Sequence, residues 1–423
     1  MEDKLSARLD QLNHDYYLDC DFATRVIHAG EHFGEFGAHS HNSPIYQTST
    51  FSFKSAKHGS DVFSGREEGY MYTRLGNPTV KVLEAKMNAI EGREVKLRSP
   101  ETRVSSLVFS SGMAAASAAI MACAKAGDTV LIDEALYGCT THFCCEVLPQ
   151  YGVTSIELDT SDLGAVEAAL GRYPKARALL FETPANPTMK ITDITAVSRL
   201  AHRVNPELCV IVDNTFATPY LQNPLALGAD LVFHSTTKYL CGHGTVVGGV
   251  VTTNNDRIKD RLYILIKDLG HSPSPFDTWL VNQGLKTLAL RMERHCSNAM
   301  TLATFLEKHP KVSVVRYPGL EHFPYHRLAK EQMRGFGGMI AFDLKGGYDA
   351  GVRLMDNVRL FTLAVSLGCV DSLIQHPASM THAVVPKDKR EKAGITDGLV
   401  RISVGVEHVD DLITDLTQAL AKV

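Results

Sequence analysis

The chain has 423 residues, 44% of them hydrophobic and 21% charged, with a formal net charge of −4. Such a balance gives no electrostatic attraction for nucleic acid or an anionic membrane surface, so a small molecule is the expected partner. The opening MEDKLSARLD has neither the basic start nor the apolar stretch of a secretory signal, and a cytoplasmic protein is expected.

Residues 1 to 76 carry few periodic segments and many turn formers, as in HAGEHFGEFGAHSHNSPIYQ, and read as an N-terminal arm that packs on a neighbouring subunit. The polar stretch Gly92 to Ser106 reads as a surface loop. From about 106 to 253, the runs SLVF, TVLID, TSIEL, ALLFE, CVIVD, DLVFH and GGVVTT alternate with helical stretches. Runs apolar throughout and separated by long connections read as parallel strands buried on both faces, the core of an α/β domain over residues 77–289. The uncharged run Val104 to Ala124 is long enough to span a bilayer, but small residues and a strand-to-helix turn interrupt it, and no transmembrane helix is expected. After about 290 the pattern shifts to helices such as LRMERHCSNAMTLATFLEKH, mixed with the strands GGMIAFDL and LVRISVG, a smaller α+β domain over 290–423.

Nine cysteines at irregular spacing, with no C-x-x-C pair, argue against zinc and against a disulfide framework. Eighteen histidines show no H-E-x-x-H, and His376 and His382 are expected to be structural, so no metal is expected.

Five short constellations carry chemistry. In SLVFSSGMAAA a strand, a Ser-Ser-Gly turn and an Ala-rich helix would offer the backbone N–H groups of Gly112 and Met113 to an anion. In LIDEALYGC, Tyr137 follows a strand end, where it can stack on a planar ring, deliver a proton, or simply be half-buried. Asn186, in the Pro-rich turn ETPANPT, can bond a ring hydroxyl or its own backbone. Asp213 ends the strand CVIVD, where it can pair with a protonated ring nitrogen or cap the following loop. In DLVFHSTTKYL, the hydroxyls of Ser235 and Thr237 suit phosphate oxygens, and Lys238 at a strand end can condense with an aldehyde once burial lowers its pKa. All five in this order are far less expected by coincidence than any one of them.

In that order the residues resemble the Cys/Met-metabolism family of pyridoxal-phosphate (PLP) enzymes, over about Thr24 to Val423. The resemblance implies a fold-type I PLP-dependent transferase: a mainly parallel central sheet with helices on both faces, a smaller α+β C-terminal domain and an N-terminal arm. It implies a Schiff base on Lys238, Asp213 on the pyridinium nitrogen, Tyr137 stacked on the ring, and phosphate contacts from Gly112, Met113, Ser235 and Thr237. The motif YTRLGNPT resembles the family's phosphate clamp, with Tyr72 and Arg74 reaching into the neighbouring subunit's site of a homotetramer built from catalytic dimers. GLVRISVGVEHVDDL resembles its carboxylate site, where Arg401 would grip the substrate carboxylate, assisted by Ser366 and Asn186.

Within the family, Val365 stands where cystathionine lyases and synthases usually carry Glu; an apolar residue suits a methylthio end. Cys139, the pair Lys267 and Asp268, and QHPASMTH resemble the methionine-cleaving γ-lyases. The expected reaction is α,γ-elimination of L-methionine and related sulfur amino acids, by Lys238 as general base and Tyr137 as general acid. Cystathionine γ-lyase activity, or γ-replacement as in cystathionine γ-synthase or O-acetylhomoserine sulfhydrylase, is the alternative. Cys241 and the length of the 93–105 segment depart from the usual family pattern.

Overall fold

A computed structural model of the chain describes residues 17, 19–31, 40–383, 386–392 and 394–423; the rest of the expected arm, 1–16, 18 and 32–39, lies outside these. Seven strands form the larger sheet: β1 (Ser105–Phe109), β2 (Thr129–Asp133), β3 (Thr154–Leu158), β4 (Ala178–Glu182), β5 (Cys209–Asp213), β6 (Leu231–Ser235) and β7 (Gly249–Thr253). Their order is β1-β7-β6-β5-β4-β2-β3. All seven apolar runs are strands, but the last is not parallel: β7 runs antiparallel to both β1 and β6. A buried run looks the same in either direction, because only the connection decides orientation. The link from β6 to β7, residues 236–248, contains no helix to carry the chain back to the starting edge, so β7 returns directly.

The alternation of side chains sorts the strands into two faces. Val130, Ile132, Leu180, Ile211 and Phe233 pack against the helices Gly112–Cys123 and Asp256–Leu269. Leu131, Leu179, Phe181, Val210 and Val212 face the opposite way, onto the helices Leu163–Arg172 and Ile194–Val204. The run Val104 to Ala124 resolves into β1, a Ser-Ser turn and the first of these helices, and no described helix is long and apolar enough to cross a membrane.

The second sheet has the order β10-β11-β12-β9-β8, from β8 (Val312–Arg316), β9 (Met339–Leu344), β10 (Thr362–Leu363), β11 (Leu373–Gln375) and β12 (Leu399–Ser403). Its inner face shares one apolar cluster with the helix Leu288–Glu307 and with residues as distant as Phe22 and Met87.

The stretch Gly92 to Ser106 is a loop only over Ser99 to Val104. A 21-residue helix, Pro78–Arg98, runs through Arg98, and β1 begins at Ser105. The polar residues are the solvated face of this helix, while Val95 is buried with Val104, Leu225 and Val232. Gly92 permits this packing, since a Cβ there would stand 2.9 Å from the Cβ of Val104. Lys96 and Arg98 in the last turn complement the helix dipole.

Candidate active site

Because β1, β2, β4, β5 and β6 all point the same way, their carboxyl ends deliver side chains to one edge of the sheet, where open α/β sheets bind ligands. Glu182 and Asp213 are register partners at the ends of β4 and β5. One strand over, β6 ends at Ser235, and the turn that follows carries Thr237 and Lys238.

Lys238 is partly buried, and its Nζ donates to Ser366 Oγ at 2.7 Å. Burial and then the nearby Arg401 cation lower its pKa to about 8. Arg401, 4% exposed, extends from β12 in the second sheet. One terminal nitrogen donates to Asn186 Oδ1 at 2.8 Å and the other to the carbonyl of Ser366 at 2.6 Å, while its Nε is buried without a partner among the described residues. Burial brings its pKa down to about 10, which keeps it charged at neutral pH. Ser366 holds a left-handed backbone, φ 94°, a conformation a serine adopts only where neighbours enforce it. Here Lys238 and Arg401 grip its two oxygens. Val365, beside it, is 57% exposed.

Asp213 accepts from the backbone N–H and hydroxyl of Thr215, both on Oδ1, at 3.0 and 2.5 Å. Among the described residues none donates to Oδ2, and burial pushes the carboxyl pKa up. The Thr215 hydroxyl in turn accepts from the Ser235 N–H at 3.0 Å, locking the two strand ends together. Across from Ser235, Ser111 caps the helix Gly112–Cys123 by accepting from the Ala114 N–H. Among the described residues no acceptor meets the N–H groups of Gly112 and Met113, which are left unspent as first-turn donors are. A Cβ on Gly112 would stand 2.8 Å from Ser235 Oγ, so only glycine lets the two segments come this close.

Tyr137 precedes the short helix Gly138–His142 and is 47% exposed. Its hydroxyl accepts from Cys139 Sγ at 3.5 Å, and this contact, with burial, raises its pKa to about 12. The phenol therefore carries its proton at neutral pH.

One central carboxylate carries no local motif and was not among the expected residues. Glu182, 6% exposed, accepts from the N–H of Tyr137 at 3.0 Å and also from the N–H of Asn186. It ties together the two loops that carry those side chains. Burial, then the neighbouring Asp213, pushes its pKa well above the usual carboxylate range. The only cue was a Glu ending a strand just before a Pro-rich turn, which by itself is common.

The other expected residues form a second group. Arg74 donates to the carbonyl of Lys267 and lies 5.6 Å over the ring of Tyr72; Lys267 pairs with Asp268 at 3.6 Å. Within this chain these contacts face one another rather than Lys238. The group still flanks the helix-cap turn, because Ser110 donates to the carbonyl of His271, just beyond that pair. Cys241 is buried, its thiol 3.5 Å from the Thr245 hydroxyl. His376 is buried with both ring nitrogens engaged, by Ser379 and by the Asp397 carbonyl.

Residues 23–421 match the family described as Cys/Met metabolism PLP-dependent enzyme. An L-methionine gamma-lyase of Fusobacterium nucleatum subsp. polymorphum is 50% identical over 401 residues, 95% of this chain and 98% of that one. The L-methionine gamma-lyase of Pseudomonas putida is 46% identical over 94% of this chain and 97% of its own. A cystathionine gamma-lyase of Bacillus subtilis is 44% identical over 90% and 94%. Among solved structures, metB from Corynebacterium glutamicum superposes with a TM-score of 0.86 at 41% identity, covering 95% of this chain and 98% of that one.

Proposed function

This chain belongs to the Cys/Met metabolism family of PLP-dependent enzymes, and from that premise we propose that it cleaves L-methionine to methanethiol, 2-oxobutanoate and ammonia. Its chemistry is that of a carbon–sulfur lyase, and its cofactor is pyridoxal 5'-phosphate.

The residues fit that cofactor. The N–H groups of Gly112 and Met113, brought against Ser235, suit a phosphate, and Thr237 follows Ser235 by two residues in the same turn. The unpartnered Oδ2 of Asp213, on a carboxylate whose pKa burial raises, suits a protonated pyridine nitrogen that would restore its charge. Lys238, with a lowered pKa, suits an aldehyde. When bound, the group supplies an electron sink at the substrate's α-carbon.

The remaining work falls to the chain. Arg401 is assigned the substrate carboxylate: Asn186 and the Ser366 carbonyl take one N–H each of its two terminal nitrogens, and the Nε–H, with no partner among the described residues, is one of the donors left for that purpose. Lys238 Nζ takes the α-proton and hands it on, a role that suits an amine with a pKa near 8. Tyr137, held protonated, donates to the departing sulfur. Asn186 and Ser366 hold Arg401 in place, and Cys139 fixes the Tyr137 hydroxyl. Tyr72, Arg74, Lys267 and Asp268 are assigned to the site of a neighbouring copy in a catalytic dimer, two of which form the tetramer.

The observation that carries the choice of methionine is Val365. An exposed apolar side chain next to Ser366 offers no partner to the distal ammonium of cystathionine but suits a methylthio group. Methanethiol from methionine and cysteine from cystathionine should be assayed side by side. We expect methionine to be preferred, and Val365→Glu to shift the ratio toward cystathionine by about tenfold or more. A native enzyme that prefers cystathionine would overturn the reading.

A further inference from the structure

At the opposite edge of the larger sheet, where β2, β4 and β5 begin, lies a cavity of about 560 Å³. Its volume is that of a small-molecule site. It is lined by five cationic side chains, Lys125, Lys175, Arg177, Arg257 and Arg261, against two acidic ones, Asp128 and Glu207.

The acids leave most of the positive charge unanswered. Glu207 makes a loose pair with Arg257 at 3.6 Å, Asp128 accepts from the backbone N–H of Lys125 at 2.9 Å, and Arg261 donates to the carbonyl of Met121 at 3.2 Å. Among the described residues, Lys125, Lys175 and Arg177 have no carboxylate within ion-pair distance. The two acids are the only carboxylates among the lining residues, and the buried thiol of Cys123 completes the floor. A protein with net charge −4 thus gathers unpaired cations in one concavity remote from the carboxyl ends of its strands.

We propose that this cavity binds a small polyanion bearing two or more linked phosphates, a site separate from the one around Lys238. Three guanidinium groups suit such a ligand because each can meet two phosphate oxygens at once. A concave site of this size favours a small molecule over a nucleic-acid duplex, which needs an extended basic face.

The test is calorimetric titration of the cofactor-loaded enzyme with tripolyphosphate at physiological ionic strength, with inorganic phosphate and a short DNA duplex in parallel. Loading the enzyme first keeps its phosphate contacts near Ser235 occupied. The expected result is saturable binding of one tripolyphosphate per chain, tighter than inorganic phosphate and than DNA. The double variant Lys175→Glu, Arg177→Glu should weaken it by more than about tenfold while turnover is retained; the milder pair Lys125→Ala, Lys175→Ala gives the same comparison if the reversal misfolds. Lys308→Glu, on a distant helix end, should bind as the native enzyme does. Absent saturable binding, binding unaltered by the cavity variants, or tighter binding of DNA would each overturn the assignment.

Discussion

At the scale of single residues, burial and the Arg401 cation set the chemistry of Lys238. With a pKa near 8, about a tenth of Lys238 is neutral at pH 7, against roughly one part in a few thousand for an ordinary lysine. The rate at which cofactor-free protein captures pyridoxal phosphate should therefore rise with pH and level off just above 8. Removing the Arg401 cation in Arg401→Met should move that midpoint upward, since the cation lowers the lysine pKa. A native profile still rising at pH 10 would contradict the account. Arg401→Lys keeps the charge but loses the fork that spans Asn186 and Ser366, and KM for methionine should increase by about 100-fold, the equivalent of roughly 3 kcal/mol. A KM within about threefold of native would argue that the carboxylate binds elsewhere.

Glu182→Gln tests the unforeseen member. An amide has one accepting oxygen where the carboxylate has two, so either Tyr137 or Asn186 loses its anchor. Turnover should fall by about tenfold or more and the limb of the pH profile that reports Tyr137 should shift, while cofactor absorbance persists; a native-like pH profile would reduce Glu182 to packing. The lysine, the aspartate and the arginine were legible because local motifs carry them. Glu182 was not, because its meaning depends on Tyr137, 45 residues away, and on a contact only the folded chain creates.

At the scale of elements, strand positions were legible because a strand buried on both faces must be apolar throughout. Direction and helix ends were harder. Residues 92–98 read as polar loop although they finish a helix, since a half-solvated helix and a loop share composition and only Val95 and Gly92 mark the buried side. The same helix contributes Lys86, fully buried, which donates to the carbonyls of Val26 and Ile27 and to Glu31 at 2.8, 3.1 and 2.9 Å. Lys86→Ala would leave both carbonyls without this donor and Glu31 with only Lys286, Ser43 and Asn282 as partners, and should cost about 3 kcal/mol in denaturant unfolding; a loss under about 1 kcal/mol would contradict this. Burial alone would raise the Glu31 pKa, but Lys86 with Ser43 and Lys286 holds it at about 2. A depressed carboxyl pKa stabilises the fold above its unfolded value, near 4.5, and that contribution disappears as pH falls toward 2. The acid-induced loss should be shallower in Lys86→Ala.

At the scale of the molecule, two sheets bring β12 to the edge where β4, β5 and β6 end, so the site exists only when both are docked. Tyr72, 43% exposed, and Arg74 turn outward from it. On the reading that they serve a neighbouring copy, Lys238→Ala and Arg74→Ala should each be nearly inactive alone, yet regain activity when refolded together, because mixed dimers contain one site with both residues intact. No regain on mixing would place Arg74 in its own chain's site. Sequence alone carries such an arrangement only by resemblance, for an exposed Tyr and Arg look like ordinary surface residues.

The proposed chemistry passes through Lys238 as the amine that carries the cofactor. Reducing the cofactor-loaded enzyme with borohydride and mapping the tagged peptide tests it directly. A single pyridoxyl group is expected, on Lys238, and none in Lys238→Ala. A tag on another lysine, or none at all in the native enzyme, would contradict it.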